Sequence, residues 1–165
     1  MVRGRWSGLK RVRTGLARLP AQLKRDMGAA MAEEAARLAD AVRRGAPRDD
    51  GALQRSIGAA AGYGPLTSAT GAFRTKRTAR GDALAREGLL HTVYAGDNTA
   101  FYARFVEFGT RPHRAGGMFE GAEHPGATAQ PFFFPAIRLR RRAIKRALRA
   151  AARAPLPHTS PMVSS

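Results

Sequence analysis

The chain of 165 residues contains no cysteine and few large apolar side chains. The lack of cysteine excludes disulfides, thiolate zinc sites and cysteine nucleophiles. No apolar run approaches the ~18 residues of a membrane span, and the basic start lacks the apolar centre of a signal peptide. Among the residues counted as hydrophobic, 33 are Ala, which buries little apolar surface. We therefore expect a single domain with a thin core that partner subunits complete.

Acidic residues are missing from both ends of the chain. Residues 1 to 25 hold eight Lys or Arg and no acid, and eight more follow Glu123, again without an acid. The formal net charge is +17. Cationic ends of this kind favour contact with polyanions, above all nucleic acid, or with acidic neighbouring subunits. A codon bias towards Arg and Ala is the alternative explanation.

Motifs for catalysis or cofactor binding are also missing. The sequence has no G-x-x-x-x-G-K-[ST] phosphate loop, no G-x-S-x-G elbow and no H-E-x-x-H pair. The four histidines have no helical ligand spacing and no nearby carboxylate cluster. We expect no metal, no cofactor and no enzymatic activity; if the protein were an enzyme, Glu107 would be the first acid to test.

Two amphipathic helices are predicted. Apolar residues recur every three or four positions from Pro20 to Gly45, and Pro47 follows the end. The acids of this segment, Asp26, Glu33, Glu34 and Asp40, fall off the apolar stripe and are expected to face solvent. Residues 7–18 form a shorter predicted helix with Leu9, Val12 and Leu16 on one side.

The last predicted helix runs from Pro135 to about Arg153, and residues 154–165 have the composition of a disordered tail. Only Arg140 falls inside its apolar arc, where it needs an acidic partner or a route to solvent. The opposite arc is basic and could face DNA; its residues are Arg138, Arg141, Arg142, Lys145, Arg146 and Arg149.

The central part is predicted to contain a small sheet and long loops. Residues 53–61 form a weak strand candidate, and residues 89–96 a better one. Residues 62–88 lack periodicity and are expected to be a loop, while residues 111–129 form a Gly-rich loop or β-ribbon.

FYARFVEFGT, residues 101–110, is predicted to be a short helix, because the helical period gathers its aromatic residues on one arc. Asn98 or Thr99 would cap its start and Gly109 would close it. We expect the aromatic face to pack on the sheet and Glu107, on the other arc, to pair with an Arg of an adjacent subunit.

Three segments in order resemble the tail-completion or neck family of tailed bacteriophages. They are APRDDGALQRSI (46–57), VYAGDNTAFYARFVEFGTRPH (93–113) and AQPFFFPAI (129–137), the last leading into a basic amphipathic helix. The resemblance covers roughly residues 20–153. Asp50 departs from the usual Thr, and the loops at 62–88 and 111–129 look longer than usual. Pro47, Gly51, Leu53, Ser56 and Ile57 carry the first match.

The second and third matches supply the expected motif or subunit-interface residues. These are Tyr102, Phe105, Glu107, Phe108, Gly109, Thr110, Gln130, Pro131, Phe132 and Pro135. The resemblance implies an α+β fold: a small antiparallel sheet flanked by a long N-terminal helix and a basic C-terminal helix, with long loops. We expect a basic N-terminal segment (1–19), one domain (20–153) and a flexible tail (154–165).

The resemblance further implies a virion protein of the head-tail junction, acting as neck, tail-completion or tail-terminator subunit. The protein would form a homo-oligomeric ring of six subunits that contacts other neck and tail proteins. The ring would assemble in the host cytoplasm and would surround the packaged DNA, which it would contact non-specifically through the phosphates. No membrane would be involved. Phage, prophage remnant and gene-transfer particle all remain open. The alternative is an unrelated basic protein that binds nucleic acid without sequence preference.

Overall fold

The computed structural model describes residues 14–15, 18–65, 78–114, 116 and 121–153. Helix α1 spans Ala21–Gly45, and a single turn, α2, spans Ala52–Arg55. Strand β1 (Gly58–Ala61) precedes helix α3 (Ala79–Arg86) and strand β2 (His91–Tyr94). Helix α4 (Ala103–Phe108), strands β3 (His113–Arg114) and β4 (Glu123–His124), and helix α5 (Phe133–Arg153) follow. The fold is therefore α+β, as the sequence predicts.

The two long helices pack side by side in opposite directions. Gly45, at the end of α1, lies against Phe132 at the start of α5, and further back along α1 Glu34 reaches Arg140. The β1–β2 sheet packs on α1 as well. Helix α1 is thus the central element, contacting both the sheet and α5.

Two small antiparallel sheets are present among the described residues. In the first, β1 pairs with β2, with Ala59 opposite Val93 and Ala60 opposite Thr92. In the second, β3 pairs with β4, with His113 opposite His124. Of the two alternatives for residues 111–129, this pairing favours the β-ribbon in the described part of the segment.

The buried core is thin, as expected. Among the described residues, nine of the fifteen buried apolar residues are Ala, and Phe132 and Val42 are the largest fully buried side chains. Since an alanine side chain removes little apolar area from water, α1 and α5 depend on few large contacts. Specific polar contacts therefore contribute more to this fold than they would in a leucine-rich core.

A partly buried ion pair joins the two long helices. Arg140 Nη2 donates to Glu34 Oε2 at 2.8 Å, and Arg37 lies 3.3 Å from the other carboxylate oxygen. The requirement of Arg140 for an acidic partner is thereby met. The expectation that Glu34 faces solvent is wrong: its side chain is only 6% exposed. It is buried because α5 covers that side of α1.

Two local expectations also need correction. Residues 79–86, within the expected loop, form helix α3, whose first turn is capped by the Thr78 hydroxyl accepting from the Gly81 N–H at 3.0 Å. The weak strand at residues 53–61 is half right, because α2 comes first and β1 starts at Gly58. The predictions for residues 1–13, 16–17, 66–77, 115, 117–120 and 154–165 lie outside the described residues.

The Glu34–Arg140 pair predicts a measurable coupling. Arg140→Met should lower the free energy of unfolding by about 2 kcal/mol, below the ~3–5 kcal/mol for a fully buried pair, because Arg37 still faces Glu34. Urea unfolding measures the loss. The double variant Glu34→Met with Arg140→Met should lose less than the sum of the single variants. The exposed Arg141→Met serves as control; an equal loss there would contradict the coupling.

Candidate functional site

The three motif segments meet around the start of helix α5. The Gln130 N–H donates to the Val106 carbonyl at 2.8 Å, which ties the third segment to α4. The rings of Phe108 and Phe134 lie 5.9 Å apart. Phe132 is buried in one cluster with Leu53 and Ile57 of the first segment. Residues separated by up to eighty positions in the sequence therefore form one junction.

Glu107 is the polar centre of this junction. Its Oε2 accepts from the backbone N–H groups of Phe132 and Phe133 at 2.7 and 2.8 Å, and its Oε1 accepts from Phe134 N–H at 3.1 Å. The next residue, Pro135, has no N–H to satisfy. One carboxylate therefore accepts from three successive backbone N–H groups at the start of α5, where the positive end of the helix dipole also favours a negative charge.

The expected intersubunit pairing of Glu107 is revised accordingly. Glu107 is 3% exposed and uses both oxygens within its own chain, while Arg104, one turn back, is exposed. A sequence signal for this role exists: QPFFFPAI has no Ser, Thr, Asp or Asn that could cap the start of α5. A helix start without its own cap requires an acceptor from another part of the chain.

The aromatic face of α4 points outward, which corrects the expectation that it packs on the sheet. Ala100, Ala103 and Glu107 are buried instead. Phe101, Phe105 and Phe108 are 50, 44 and 56% exposed, and the adjacent Phe134 is 40% exposed. We call these four phenylalanines the aromatic ledge. An exposed group of large rings in a chain with so small a core is typical of an interaction surface.

The turn before α4 has a side-chain cap, whereas the first residue of α4 has none. Asp97 Oδ1 accepts from the N–H groups of Thr99 and Ala100 at 2.8 and 2.7 Å, so Asp97 caps the turn that leads into the helix. Asn98 and Thr99 were the expected caps. Gly109 does close α4, as predicted.

Gly109 and Thr110 direct the chain from α4 into the β3–β4 ribbon. Gly109 has φ +70, and a Cβ there would lie 2.6 Å from the Ala127 carbonyl oxygen, so no other residue fits this backbone. Thr110 and Ala127 exchange backbone hydrogen bonds at 2.9 and 3.1 Å. The ribbon is therefore attached to the junction at its base.

The first motif segment is joined to the second by a hydrogen bond. Asp50 Oδ1 accepts from Ala52 N–H at 2.8 Å, and the buried Ser56 Oγ accepts from Gly96 N–H at 3.0 Å.

The phenol of Tyr102 is influenced by the acids of the first motif segment. Partial burial, followed by the charges of Asp50 and Asp49, raises the pKa of the Tyr102 phenol above its usual 10.0, which keeps the group neutral over a wider pH range.

The predicted DNA-facing residues of α5 are all exposed. Arg138, Arg141, Arg142, Lys145 and Arg149 lie on the solvent side of the helix, and Arg146 is exposed with them. No acidic residue occurs in α5. These side chains form one continuous cationic strip, which we call the basic face.

Two features are missing from the described part of the chain: a metal-ligand cluster and a membrane-spanning helix. Over residues 18–65, 78–114 and 121–153, no three His, Asp or Glu side chains are placed to share a metal ion. In the same ranges no helix is long and apolar enough to cross a membrane. The arrangement is that of a small α+β subunit with an exposed aromatic surface.

A family model agrees with this arrangement. The family described as "Bacteriophage HK97-gp10, putative tail-component" matches residues 10–109, more than half of the chain. The chain belongs to this family of phage tail components, and the resemblance noted in the sequence is confirmed. It is accordingly a structural protein of the phage virion. No curated protein and no solved structure matches the chain.

The Glu107 cap predicts a large loss of stability on its removal. Glu107→Ala should lower the free energy of unfolding by about 3 kcal/mol or more, because it leaves buried N–H groups without an acceptor. Glu107→Gln keeps one acceptor oxygen and should lose less. Glu107→Arg should fail to fold rather than give a folded monomer.

Urea unfolding followed by circular dichroism measures these differences. Arg104→Ala, on the exposed side of the same helix, should unfold close to the wild type. A Glu107→Ala protein with the wild-type midpoint would contradict the capping role.

Proposed function

We propose that this chain is a subunit of the neck or tail end of a tailed phage or phage-like particle, as a tail-completion or tail-terminator protein. It assembles as a ring, hexameric as in the expectation from sequence, around the DNA channel and contacts other neck and tail proteins. Assembly takes place in the host cytoplasm. Its role is structural and not enzymatic. The observation that carries the proposal is the exposed aromatic ledge beside Glu107.

The ledge suits contact between copies of the chain. Copies with a net charge of +17 repel one another, so association requires apolar area that is free of like charge. Phe105 and Phe108 come from α4, Phe101 from the turn before it and Phe134 from α5, whose start the Glu107 hydrogen bonds hold against α4. Large rings on a rigid support are typical of interface anchors. Because a thin core leaves these rings uncovered, the next subunit in the ring would cover them.

The basic face of α5 suits a DNA channel. A ring lined by these residues would neutralise phosphates without reading bases, which is what passage of any sequence requires. The strip contains no acid that would compete for its positive charges. The second candidate function is that of a nucleic-acid-binding protein outside a particle. The basic face favours this function too, but the function does not explain the exposed aromatic ledge.

The ledge predicts a specific assembly defect. Phe105→Glu should keep the fold, because the ring is 44% exposed, but should reduce association. Light scattering across a range of protein concentrations measures the mass. The matched control is Ala79→Glu, which adds the same charge at an exposed position of α3. Wild-type oligomers in Phe105→Glu, or a monomeric wild type even with its neck and tail partners, would contradict the ring.

The basic face predicts a loss of DNA retention. Neutralising Arg138, Arg142 and Lys145 together to Gln should weaken DNA retention in assembled particles. In the isolated chain, the triple substitution should reduce the magnitude of the slope of log affinity against log salt concentration by about 3. Each lost phosphate contact removes ~0.9 from that slope. The control removes three exposed charges elsewhere, at Arg44, Arg48 and Arg80. Equal behaviour of the two triple variants would exclude the basic face as the DNA-contacting surface.

A further inference from the structure

An apolar groove lies between the two long helices and the first sheet. It is bounded by α1, β2 and α5 and has a volume of about 460 Å³. Half-buried apolar side chains line most of it, among them Met31, Leu38, Ile137, Ile144 and Leu148. Glu34 also lines the groove, but its two oxygens are already paired with Arg37 and Arg140. An open apolar groove of this size is typical of a binding site.

The groove has the length of a helix of about four turns. On α5 its lining extends from Phe133 to Leu148, a distance of ~22 Å at ~1.5 Å per residue. Ile137, Ile144 and Leu148 lie within roughly 40 degrees of one another around α5, so they form one straight apolar wall. Such a wall beside a second helix suits an amphipathic helix, which inserts apolar residues at spacings of three, four and seven.

The rim of the groove on the α5 side is basic. Arg141 and Lys145 lie roughly 20 and 60 degrees from Leu148 around the helix, away from α1, and both are exposed. They belong to the basic face, and α5 contains no acid that would neutralise them. An occupant of the groove therefore meets apolar surface along one side and positive charge along one edge. Charge complementarity favours acidic side chains on that edge of the occupant.

A second copy of the chain matches this requirement poorly. Its exposed apolar surface is the aromatic ledge, where Arg104, one turn before Phe108, is also exposed. Docking the ledge into the groove would bring Arg104 towards Arg141 and Lys145, and each copy carries a net charge of +17. The apolar wall and the basic rim together favour a different protein as the occupant.

We propose that the groove binds an amphipathic helix of another protein, with an apolar stripe against Ile137, Ile144 and Leu148 and acidic side chains against Arg141 and Lys145. Of the four ledge rings, only Phe134 lines the groove, so the two surfaces can serve different partners. The inference rests on the proposed function for the origin of the helix, which a neck or tail protein would supply. Binding by the single chain is measured separately from ring assembly.

A designed peptide tests the groove in the full-length protein. The probe is a dye-labelled helical peptide of ~18 residues, enough to span the groove, with a leucine stripe and glutamates along one edge. A peptide of the same composition in shuffled order controls for the general attraction of acids to this basic chain. By fluorescence anisotropy, the striped peptide should bind at least about tenfold more tightly than the shuffled one.

A charge placed in the groove should remove this preference. Ile144→Glu puts a carboxylate in the apolar wall, where the leucine stripe would leave it buried and unpaired. Leu139→Glu is the matched control, because it adds the same charge at an 84% exposed position on another side of α5. It should keep the preference for the striped peptide.

Reversing the charge of the rim tests the chemistry of the partner and remains informative if Ile144→Glu fails to fold. Arg141→Glu with Lys145→Glu changes exposed side chains, so the fold should persist, as circular dichroism can check. This double variant should prefer a lysine-edged version of the striped peptide to the glutamate-edged one. The control Arg142→Glu with Arg146→Glu, exposed further from the groove, should still prefer the glutamate edge.

Equal binding of the striped and shuffled peptides to the wild type, or equal behaviour of the two double variants, would overturn the proposal. Without a peptide preference, a fall in oligomer mass in Ile144→Glu would assign the groove to a second copy. A red shift of Trp6 emission in that variant would instead assign it to the start of the same chain. Rings that form without a peptide preference would refute this inference alone, and a peptide preference without rings would refute the ring alone.

Discussion

The fold depends on one buried carboxylate. Glu107 accepts three backbone hydrogen bonds from the start of α5 and so fixes where that helix begins and how α4 lies against it. The helical period then fixes the rest of α4. With Glu107 inside, Phe105 and Phe108 lie roughly 100 to 160 degrees away and must face out. The aromatic ledge is therefore a direct consequence of the cap, and any change that moves Glu107 also moves the surface proposed for assembly.

The sequence predicts the long helices well and the orientation of α4 badly, for the same reason. Periodicity identifies a helix and its two faces, but the rule that places the apolar face inside assumes that polar groups prefer water. At α4 the polar group finds better partners inside, because the uncapped start of α5 supplies three N–H groups. Those groups lie some 25 residues further along the chain, and no local pattern relates the two segments. Glu34 was misplaced in the same way, since its partner Arg140 lies on another helix.

Helix α5 serves three surfaces at once, which explains its composition. One side of α5 buries Phe133 and Ala136 in the core. A second side lines an apolar groove between α1, β2 and α5 with Ile137, Ile144 and Leu148. The third side exposes the arginines to solvent. Arg140 lies on the side of α5 that faces α1, where Glu34 of α1 accepts its hydrogen bond. With alanine supplying most of the core, these polar contacts fix the position of α5 more specifically than apolar packing could.

The family match ends at Gly109, yet the residue that gives the matched region its shape needs partners beyond it. Glu107 lies inside the match, while Phe132, Phe133 and Phe134 lie outside. Without α5, Glu107 would lose its three donors and α1 would lose the helix that covers Glu34 and bounds the groove. Helix α5 therefore packs directly on the matched region and satisfies its buried carboxylates. The three Glu107 hydrogen bonds fix the orientation of α5 relative to α4, which continuity of the chain alone does not do.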